Sequence, residues 1–206
     1  MEQAKDVARA ILAEIEKAGA SFDRAEPNHE QRFLNLDRAA GEFLFFLVRA
    51  TRRRRVVEIG TSNGCSTIWL AMALRELAAP GRLITIERNP QKQRAAVDNV
   101  RRASVHDYVE FLRGDATEVA RTIDGPIDCI FFDADRVSAH LQLKVLWPKL
   151  SADCLLVTDN AISHPAELEA YFGLLAALPE FQTLVLPIGK GLHVAHRIAS
   201  RGARTP

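Results

Sequence analysis

Residues 56–67 read VVEIGTSNGCST: an apolar run ends at an acid, two glycines lie four residues apart, and a polar stretch follows. This order predicts a buried strand over 56–59, a tight loop, and a helix over 66–77. Gly60 and Gly64 let the backbone turn sharply and approach a ligand closely. Their Gly-x-x-x-Gly spacing differs from the Gly-x-Gly-x-x-Gly of dinucleotide-binding loops, which disfavours the alternative of a nicotinamide oxidoreductase.

Short β-rich runs alternate with helical segments along most of the chain. Strands that are separated by helices form a parallel sheet with helices on both faces. The five residues 187–191 join the last two strands and are too few for a parallel crossover, so that pair should be antiparallel. The predicted strands are 56–59, 82–86, 109–112, 127–132, 154–158, 181–186 and 192–197, and the helices between them are 66–77, 91–103, 116–121, 137–150 and 166–178.

Two further helices are predicted before the first strand. Apolar residues recur at helical spacing over 2–18, where a glycine follows, and a second helix is expected over 29–50. We expect these helices to form an N-terminal cap, 1–50, on an α/β core, 51–206. Because the chain contains no internal repeat, low-complexity tract or linker, the prediction is a single domain over 1–206.

The composition is that of an ordinary globular protein, with 48% hydrophobic and 26% charged residues. A net charge of +1 argues against nucleic acid or a membrane surface as the partner. The three cysteines have neither disulfide-framework nor metal-type spacing, which favours a reducing compartment. Since the first residues are charged and amphipathic and do not resemble an apolar signal sequence, we expect a cytoplasmic protein.

Acidic and amide side chains follow the ends of the five parallel strands. In such sheets these ends meet at one edge, where ligands bind. Clustered carboxylates repel one another and are costly to desolvate, so a ligand or metal site is the natural reason for them. Capping of the following helices is the alternative for one or two of them. The residues are Glu58, Glu87, Asp115, Asp133, Asp135, Asp159 and Asn160.

Three of these strand ends indicate the kind of ligand. A carboxylate at Glu58 favours a positively charged group beside the loop. Glu87 is placed to accept hydrogen bonds from both hydroxyls of a ribose, and Asp115 and Ala116 are placed to meet an adenine edge. A nucleoside with a cationic tail fits these demands, and S-adenosyl-L-methionine is that molecule.

Seven motifs span much of the chain: GEFLFFLVRA, VVEIGTSNGCSTIWLA, GRLITIERNP, GDA, IDCIFFDADR, LLVTDN and LPIGKGLHVA. Through them the chain resembles the class I S-adenosylmethionine-dependent methyltransferases, and within these the cation-dependent O-methyltransferases of catechol and caffeoyl-coenzyme A. The similarity runs from about Arg32 to Ile198, and FFDADR followed by VTDN is its most specific part. It implies a Rossmann-like, doubly wound sheet of seven strands, mostly parallel with the last strand antiparallel, plus N-terminal helices.

The resemblance implies a metal site and a cofactor site. Asp133, Asp159 and Asn160 would hold a divalent ion, and their hard oxygen ligands suit Mg²⁺, Mn²⁺ or Ca²⁺ and not zinc. A helix cap is the alternative for the last two residues. The implied contacts to S-adenosyl-L-methionine are Glu58, Gly60, Thr61, Ser62, Gly64, Ser66, Glu87, Arg88, Asp115, Ala116, Asp133 and Asp135.

Two catalytic residues are implied on the acceptor side. The family has a lysine base three residues after the first metal aspartate, where this chain has Arg136. Because arginine stays protonated, Arg136 would stabilise a phenolate or bind an acidic substrate and would not take a proton. His164 matches a position that faces the substrate and would accept a proton, and a surface or capping histidine is the alternative.

The predicted function is methyl transfer from S-adenosyl-L-methionine to a hydroxyl of a small aromatic, catechol-like molecule, assisted by a divalent cation. Two alternatives stay open. One is a metal-independent methyltransferase with another acceptor, and the other is a cofactor-binding module that lost catalysis with the lysine base. The expected partners are the small-molecule acceptor and a second copy of the chain in a homodimer, with the N-terminal helices as interface or as cap.

Overall fold

The computed structural model describes residues 2–198, with side chains from residue 6 onwards. Its strands are β1 (Arg55–Ile59), β2 (Arg82–Glu87), β3 (Val109–Arg113), β4 (Ile127–Phe132), β5 (Leu150–Thr158), β6 (Phe181–Leu186) and β7 (Leu192–Arg197). They form a sheet with the order β3-β2-β1-β4-β5-β7-β6. The first five strands pair in parallel, whereas β7 is antiparallel to both neighbours. The predicted seven-stranded sheet with an antiparallel ending is confirmed.

Helices cover both faces of this sheet. They are α1 (Glu2–Ala25), α2 (Arg38–Ala50), α3 (Cys65–Arg75), α4 (Pro90–Arg102), α5 (Ala116–Ala120), α6 (Ala139–Leu146) and α7 (Glu169–Ala176). The first four enclose one buried apolar cluster and the last three enclose another. Successive residues of β1 point to opposite clusters, Val56 to the first and Val57 to the second, as the pleat of a strand requires.

The helix that follows the quoted loop lies at the centre of the first layer. Ten of the 11 residues of α3 are buried, which explains why its sequence is apolar on every side. Both α1 and α2 pack against it. The two N-terminal helices therefore pack on α3, the helix that follows the quoted loop.

The structure corrects the predicted end of the first helix. The prediction stopped at residue 18 because Gly19 follows, but α1 continues to Ala25. Gly19 permits close packing instead, since a Cβ at this position would lie 2.3 Å from Asn35 Nδ2. A glycine that serves tertiary contact was mistaken for a glycine that ends a helix.

The predicted helix over 29–50 is wrong in its first part. A 3-10 turn, His29–Gln31, precedes an extended segment, and α2 begins only at Arg38. The Asp23 carboxylate accepts hydrogen bonds from two backbone N–H groups of this segment, at 2.7 and 2.8 Å. These long-range hydrogen bonds hold the backbone outside helical geometry, and the local apolar spacing does not reveal them.

The prediction of a single domain over 1–206 also covers Met1 and residues 199–206, which lie outside the described residues. The domain and its boundary between cap and core therefore stay predictions. Among residues 2–198, no helix combines the length and the apolar character that crossing a membrane requires.

We expect Gly41→Ala to destabilise the protein. Gly41 lies in α2 against Trp69 of α3, and a Cβ would stand 2.3 Å from Trp69 Nε1. Overpacking of this kind lowers the free energy of unfolding by about 1–3 kcal/mol, which urea unfolding measures. Gly173→Ala in α7 is the matched control, because nothing lies within 4 Å of its Cβ. It should raise stability by up to about 1 kcal/mol, and equal effects of both substitutions would contradict this reading.

Candidate active site

A cavity of about 430 Å³ opens at the carboxyl ends of the parallel strands. Its volume is in the range of sites for small molecules and cofactors. The strand ends at which the sequence predicts acidic side chains therefore surround one cavity. The predicted site residues in its lining are Gly60, Thr61, Ser62, Ser66, Glu87, Arg88, Asp115, Ala116, Asp133, Asp135, Arg136 and Asn160.

Four other predicted residues lie outside this lining. Glu58 is buried in β1, and Gly64 precedes α3 with a φ of 89°. Asp159 is buried directly after β5. His164 is exposed, with its Nδ1 at 2.8 Å from Ser163 Oγ. The structure therefore does not bring His164 to the cavity, and the alternative of a surface histidine describes its position.

The quoted loop is fixed against the end of β4 by Gly60. Its φ is 103°, and a Cβ there would lie 2.4 Å from the carbonyl oxygen of Asp133. The Gly60 N–H donates to the carbonyl of Ile86 at 3.1 Å, and the Asp133 N–H donates to that of Ile59 at 2.8 Å. Only glycine fits between these two backbone segments. The sequence predicted a glycine here for the turn, and the structure adds that a Cβ would have no room.

The carboxyl group of Glu58 is enclosed beneath this loop. The hydroxyls of Thr67 and Thr85 each donate to its Oε2 at 2.6 Å. Burial raises the pKa of Glu58 from 4.5 to about 7, although the hydroxyl hydrogen bonds act in the opposite direction. A positive charge bound nearby would favour the ionised form and offset part of the cost of burial.

The carboxylate of Glu87 connects the loop to the end of β2. One oxygen accepts a hydrogen bond from the Ser62 N–H and the other accepts one from the Asn89 N–H, both at 2.8 Å. Ser62 has a φ of 49°, and its hydroxyl donates to the Phe33 carbonyl at 2.7 Å. Each Glu87 oxygen keeps a second lone pair, so the group can still accept from a diol in the cavity.

Asp115 and Asp135 cap the helical turns that follow them, as the alternative of helix capping predicts. Asp115 accepts hydrogen bonds from the backbone N–H groups of Thr117 and Glu118, in the first turn of α5, at 2.9 and 3.2 Å. Asp135 accepts from the Val137 N–H at 3.3 Å and from the Ser138 hydroxyl at 2.5 Å. Both residues also line the cavity, so capping fixes their position without removing them from it.

Asp133, Asp159 and Asn160 come together from adjacent strand ends. β4 and β5 are neighbours, and the Asp159 N–H donates to the Phe132 carbonyl at 3.1 Å. Asn160 Nδ2 donates to one Asp159 oxygen at 2.9 Å, whereas Asp159 Oδ1 is buried and has no hydrogen-bond partner among residues 2–198. Asn160 has a φ of 67°, a region that asparagine tolerates better than most residues.

The electrostatics of this group favour the binding of a cation. Removal from water, followed by repulsion from Asp159, raises the pKa of Asp133 well above its usual range. Burial likewise raises the pKa of Asp159. No cluster of three or more His, Cys, Asp or Glu suited to a metal occurs in the part of the chain that the structure describes. The set here has two carboxylates and an amide, which is a hard-oxygen donor set.

Two cationic side chains lie beside these carboxylates. Arg136 lines the cavity, and its Nε donates to Glu167 Oε2 at 2.7 Å. Lys190, from the loop between β6 and β7, lines the same cavity, and its charge lowers the pKa of both aspartates. Our sequence analysis did not single out Lys190, although the motif LPIGKGLHVA contains it. A lysine between two glycines in a motif of the family was the available signal.

The fold and this cavity are those of an α/β methyltransferase domain. Residues 57–161, half of the chain, match a family model described as a methyltransferase domain. Catechol O-methyltransferases of Mycobacterium tuberculosis and Niastella koreensis are 40% and 37% identical to the chain over 125 and 126 residues. Each match covers 59% of this chain and 54% or 56% of the relative, so the chain spans about half the length of these curated relatives.

A solved structure extends the likeness to almost the whole chain. An O-methyltransferase of Bacillus cereus, crystallised with S-adenosylhomocysteine, has a TM-score of 0.76 at 26% sequence identity. The superposition covers 91% of this chain and 90% of the other. A putative O-methyltransferase of Mycolicibacterium smegmatis is 39% identical to the chain over 174 residues, which are 77% of this chain and 81% of the relative. The chain therefore belongs to the methyltransferase-domain family and, within it, to the O-methyltransferases.

We expect Glu58 to make the ligand-free protein less stable as pH rises. The unfolded chain releases this proton near pH 4.5, whereas the folded protein keeps it until about pH 7. The folded state therefore binds more protons in this window, and the free energy of unfolding falls as pH rises through it. The loss from this group is about 3 kcal/mol.

Glu58→Gln removes this dependence. The stability of the variant relative to the wild type should rise between about pH 5 and about pH 8, as urea unfolding at each pH would show. Glu110→Gln, which breaks an exposed ion pair with Arg82, is the control and should show no such trend. A difference between Glu58→Gln and wild type that does not vary with pH would refute the assignment.

Proposed function

We propose that the protein is an S-adenosyl-L-methionine-dependent O-methyltransferase, assisted by a divalent cation, that methylates a catechol-like hydroxyl. The observation that supports this most is the contact between Gly60 and Asp133. It joins a loop suited to a nucleoside with the first of two neighbouring carboxylates in one cavity. Methyl transfer requires the sulfonium methyl and the acceptor oxygen to lie in line and nearly in contact.

The residues of the loop side fit the cofactor. Gly60 lines the cavity, and the Glu58 carboxyl beneath the loop, with its pKa raised to about 7, favours a cationic sulfonium. Glu87 offers two oxygens to the ribose hydroxyls, and Asp115 and Ala116 would lie beside the adenine. The Bacillus cereus relative contains S-adenosylhomocysteine, which has the same nucleoside.

The carboxylate side fits a hard divalent cation such as Mg²⁺, Mn²⁺ or Ca²⁺. Asp133, Asp159 and Asn160 supply the oxygens. Asp159 Oδ1 has no hydrogen-bond partner within residues 2–198, and this together with the raised pKa of Asp133 favours a bound cation. A cation bound there would polarise an acceptor hydroxyl and orient it. The chain itself holds these oxygens in place through the ends of β4 and β5.

Arg136 is proposed to bind negative charge on the acceptor. Its hydrogen bond to Glu167 fixes the guanidinium at the cavity wall, where it stays charged and cannot take a proton. His164 is exposed and outside the cavity lining, so the predicted transfer of a proton to His164 has no geometric support. We therefore propose that the acceptor proton passes to solvent.

The proposed acceptor is a small catechol-like molecule, because the Mycobacterium tuberculosis and Niastella koreensis relatives are catechol O-methyltransferases. We also propose a cytoplasmic homodimer, with the reducing compartment suggested by three buried, unpaired cysteines. On the outer side of α2, Phe46 is 65% exposed, which supports an interface formed by the N-terminal helices.

A chelator should abolish methylation of catechol, and added Mg²⁺ should restore it. Asp159→Asn should lower kcat by about a hundredfold or more, because one charged ligand is lost. The affinity for S-adenosylhomocysteine, measured by calorimetry, should stay within about threefold, since β1 and β2 form the cofactor side. Asp107→Asn, at an exposed position, is the control for loss of one charge. Full activity in chelator would favour the metal-independent alternative.

A binding module without catalysis is the second candidate, and the presence of Arg136 in place of a lysine base favours it. On that alternative the wild type binds S-adenosylhomocysteine but methylates no catechol. Arg136→Lys then separates the two cases: catechol methylation that appears only in this variant would show an intact site without its base. Turnover by the wild type would exclude the module.

A further inference from the structure

The loop between β6 and β7 holds Lys190 in a fixed place beside the proposed metal ligands. The Lys190 carbonyl accepts hydrogen bonds from the backbone N–H groups of Ile162, at 3.1 Å, and Ser163, at 3.0 Å. The Gly191 carbonyl accepts one from the Ala161 N–H at 2.9 Å. The segment that follows Asn160 and the lysine loop are therefore joined by three backbone hydrogen bonds.

The glycines on either side of Lys190 make this arrangement possible. Gly189 and Gly191 have φ values of 57° and 95°. A Cβ on Gly191 would lie 2.5 Å from the Ile162 nitrogen, and a Cβ on Gly189 would lie 2.7 Å from an Asp37 oxygen. Other residues would push the loop away, so the glycines fix the lysine at the cavity.

The charges around Lys190 are mostly negative. Its side chain lines the same cavity as Asp133 and Asn160, and Asp37 lies beside the same loop. Lys190 is half-buried in the cavity wall and forms no ion pair and donates no hydrogen bond within residues 2–198.

Arg136 differs from Lys190 in this respect. The Arg136 guanidinium is paired with Glu167 at 2.7 Å, so part of its charge is already neutralised. The ammonium of Lys190 has no such partner within residues 2–198, and it lies in the wall of the cavity that Asp133 and Asn160 also line. Because its ammonium is committed to no other group within residues 2–198, Lys190 can donate hydrogen bonds to a ligand that approaches the same carboxylates.

We propose that Lys190 is a catalytic residue that donates a hydrogen bond to the ionised acceptor oxygen during methyl transfer. The inference rests on the proposed function and deepens it, since it assigns to the β6–β7 loop the stabilisation of the oxyanion. A phenol with a pKa near 10 is ionised to only about one part in a thousand at pH 7. A fixed positive charge beside its oxygen raises that fraction.

The step balances without a further reactant. The acceptor O–H loses its proton to water, and a lone pair of the resulting oxygen forms the bond to the methyl carbon. The bond between that carbon and the sulfonium sulfur breaks, and its electron pair stays on sulfur. The negative oxygen and the positive sulfur both become neutral, and Lys190 keeps its proton and its charge throughout.

The test uses the full chain with Mg²⁺, S-adenosylhomocysteine and 4-nitrocatechol, whose absorption changes when it ionises. Lys190→Met should raise the apparent pKa of bound 4-nitrocatechol by about one unit, a tenfold change in its ionisation constant. Lys190→Arg should restore most of this shift, because it keeps the charge. Lys144→Met, an exposed lysine of α6, is the matched control and should titrate as the wild type does.

Turnover gives the second readout. With catechol and S-adenosyl-L-methionine, Lys190→Met should lower kcat by about a hundredfold and change the KM for catechol much less. Binding of S-adenosylhomocysteine at wild-type affinity shows that a variant is folded, and Lys190→Gln replaces Lys190→Met if it does not. Equal titration of bound 4-nitrocatechol in wild type and Lys190→Met overturns the inference, as does failure of the wild type to bind it.

Failure of the proposed function gives a different pattern. A wild type that binds 4-nitrocatechol with a Lys190-dependent spectrum but methylates no catechol would remove the enzyme assignment and keep the role of Lys190 in binding. A wild type that turns over catechol while Lys190→Met matches it in kcat would keep the enzyme assignment and remove the role of Lys190.

Discussion

The structure of the cavity depends on the close approach of Gly60 to the carbonyl oxygen of Asp133. This contact joins the loop after β1 to the end of β4, the two neighbouring strands at the centre of the sheet. The Asp133 N–H also donates to the Ile59 carbonyl at 2.8 Å, so the cofactor side and the carboxylate side cannot separate without breaking this hydrogen bond. Both halves of the proposed reaction therefore share one edge of the sheet, and the surrounding loops complete the cavity.

Burial gives the site its chemistry as well as its shape. Glu58 and Asp159 are removed from water by the layers of helices, and burial is the main reason that their pKa values are raised. Helix-capping acids such as Asp115 are exposed to solvent and hydrogen-bonded to the backbone, so they need no ligand. Acids at equivalent strand ends thus divide into those that stabilise the fold and those that call for a positively charged ligand.

The sheet was predictable because alternating strands and helices leave few topologies, and the five-residue turn after β6 allowed only an antiparallel ending. Most of the predicted site residues line the cavity for the same reason, since strand ends of a parallel sheet converge. The N-terminal helices were less predictable: Gly19 and Asp23 act through contacts with residues 33–35, distant in sequence. Lys190 was missed because the hydrogen bonds that place it join β6–β7 to the loop after β5.

A carboxyl group with a pKa of about 7, such as Glu58, can distinguish a charged ligand from its uncharged counterpart. Under the proposed function, the sulfonium favours ionised Glu58, whereas the thioether that remains after transfer offers it no charge. The carboxyl would then regain a proton and lose its attraction for the spent nucleoside. Loss of the sulfonium charge would in this way remove one attraction between the protein and the product of the transfer.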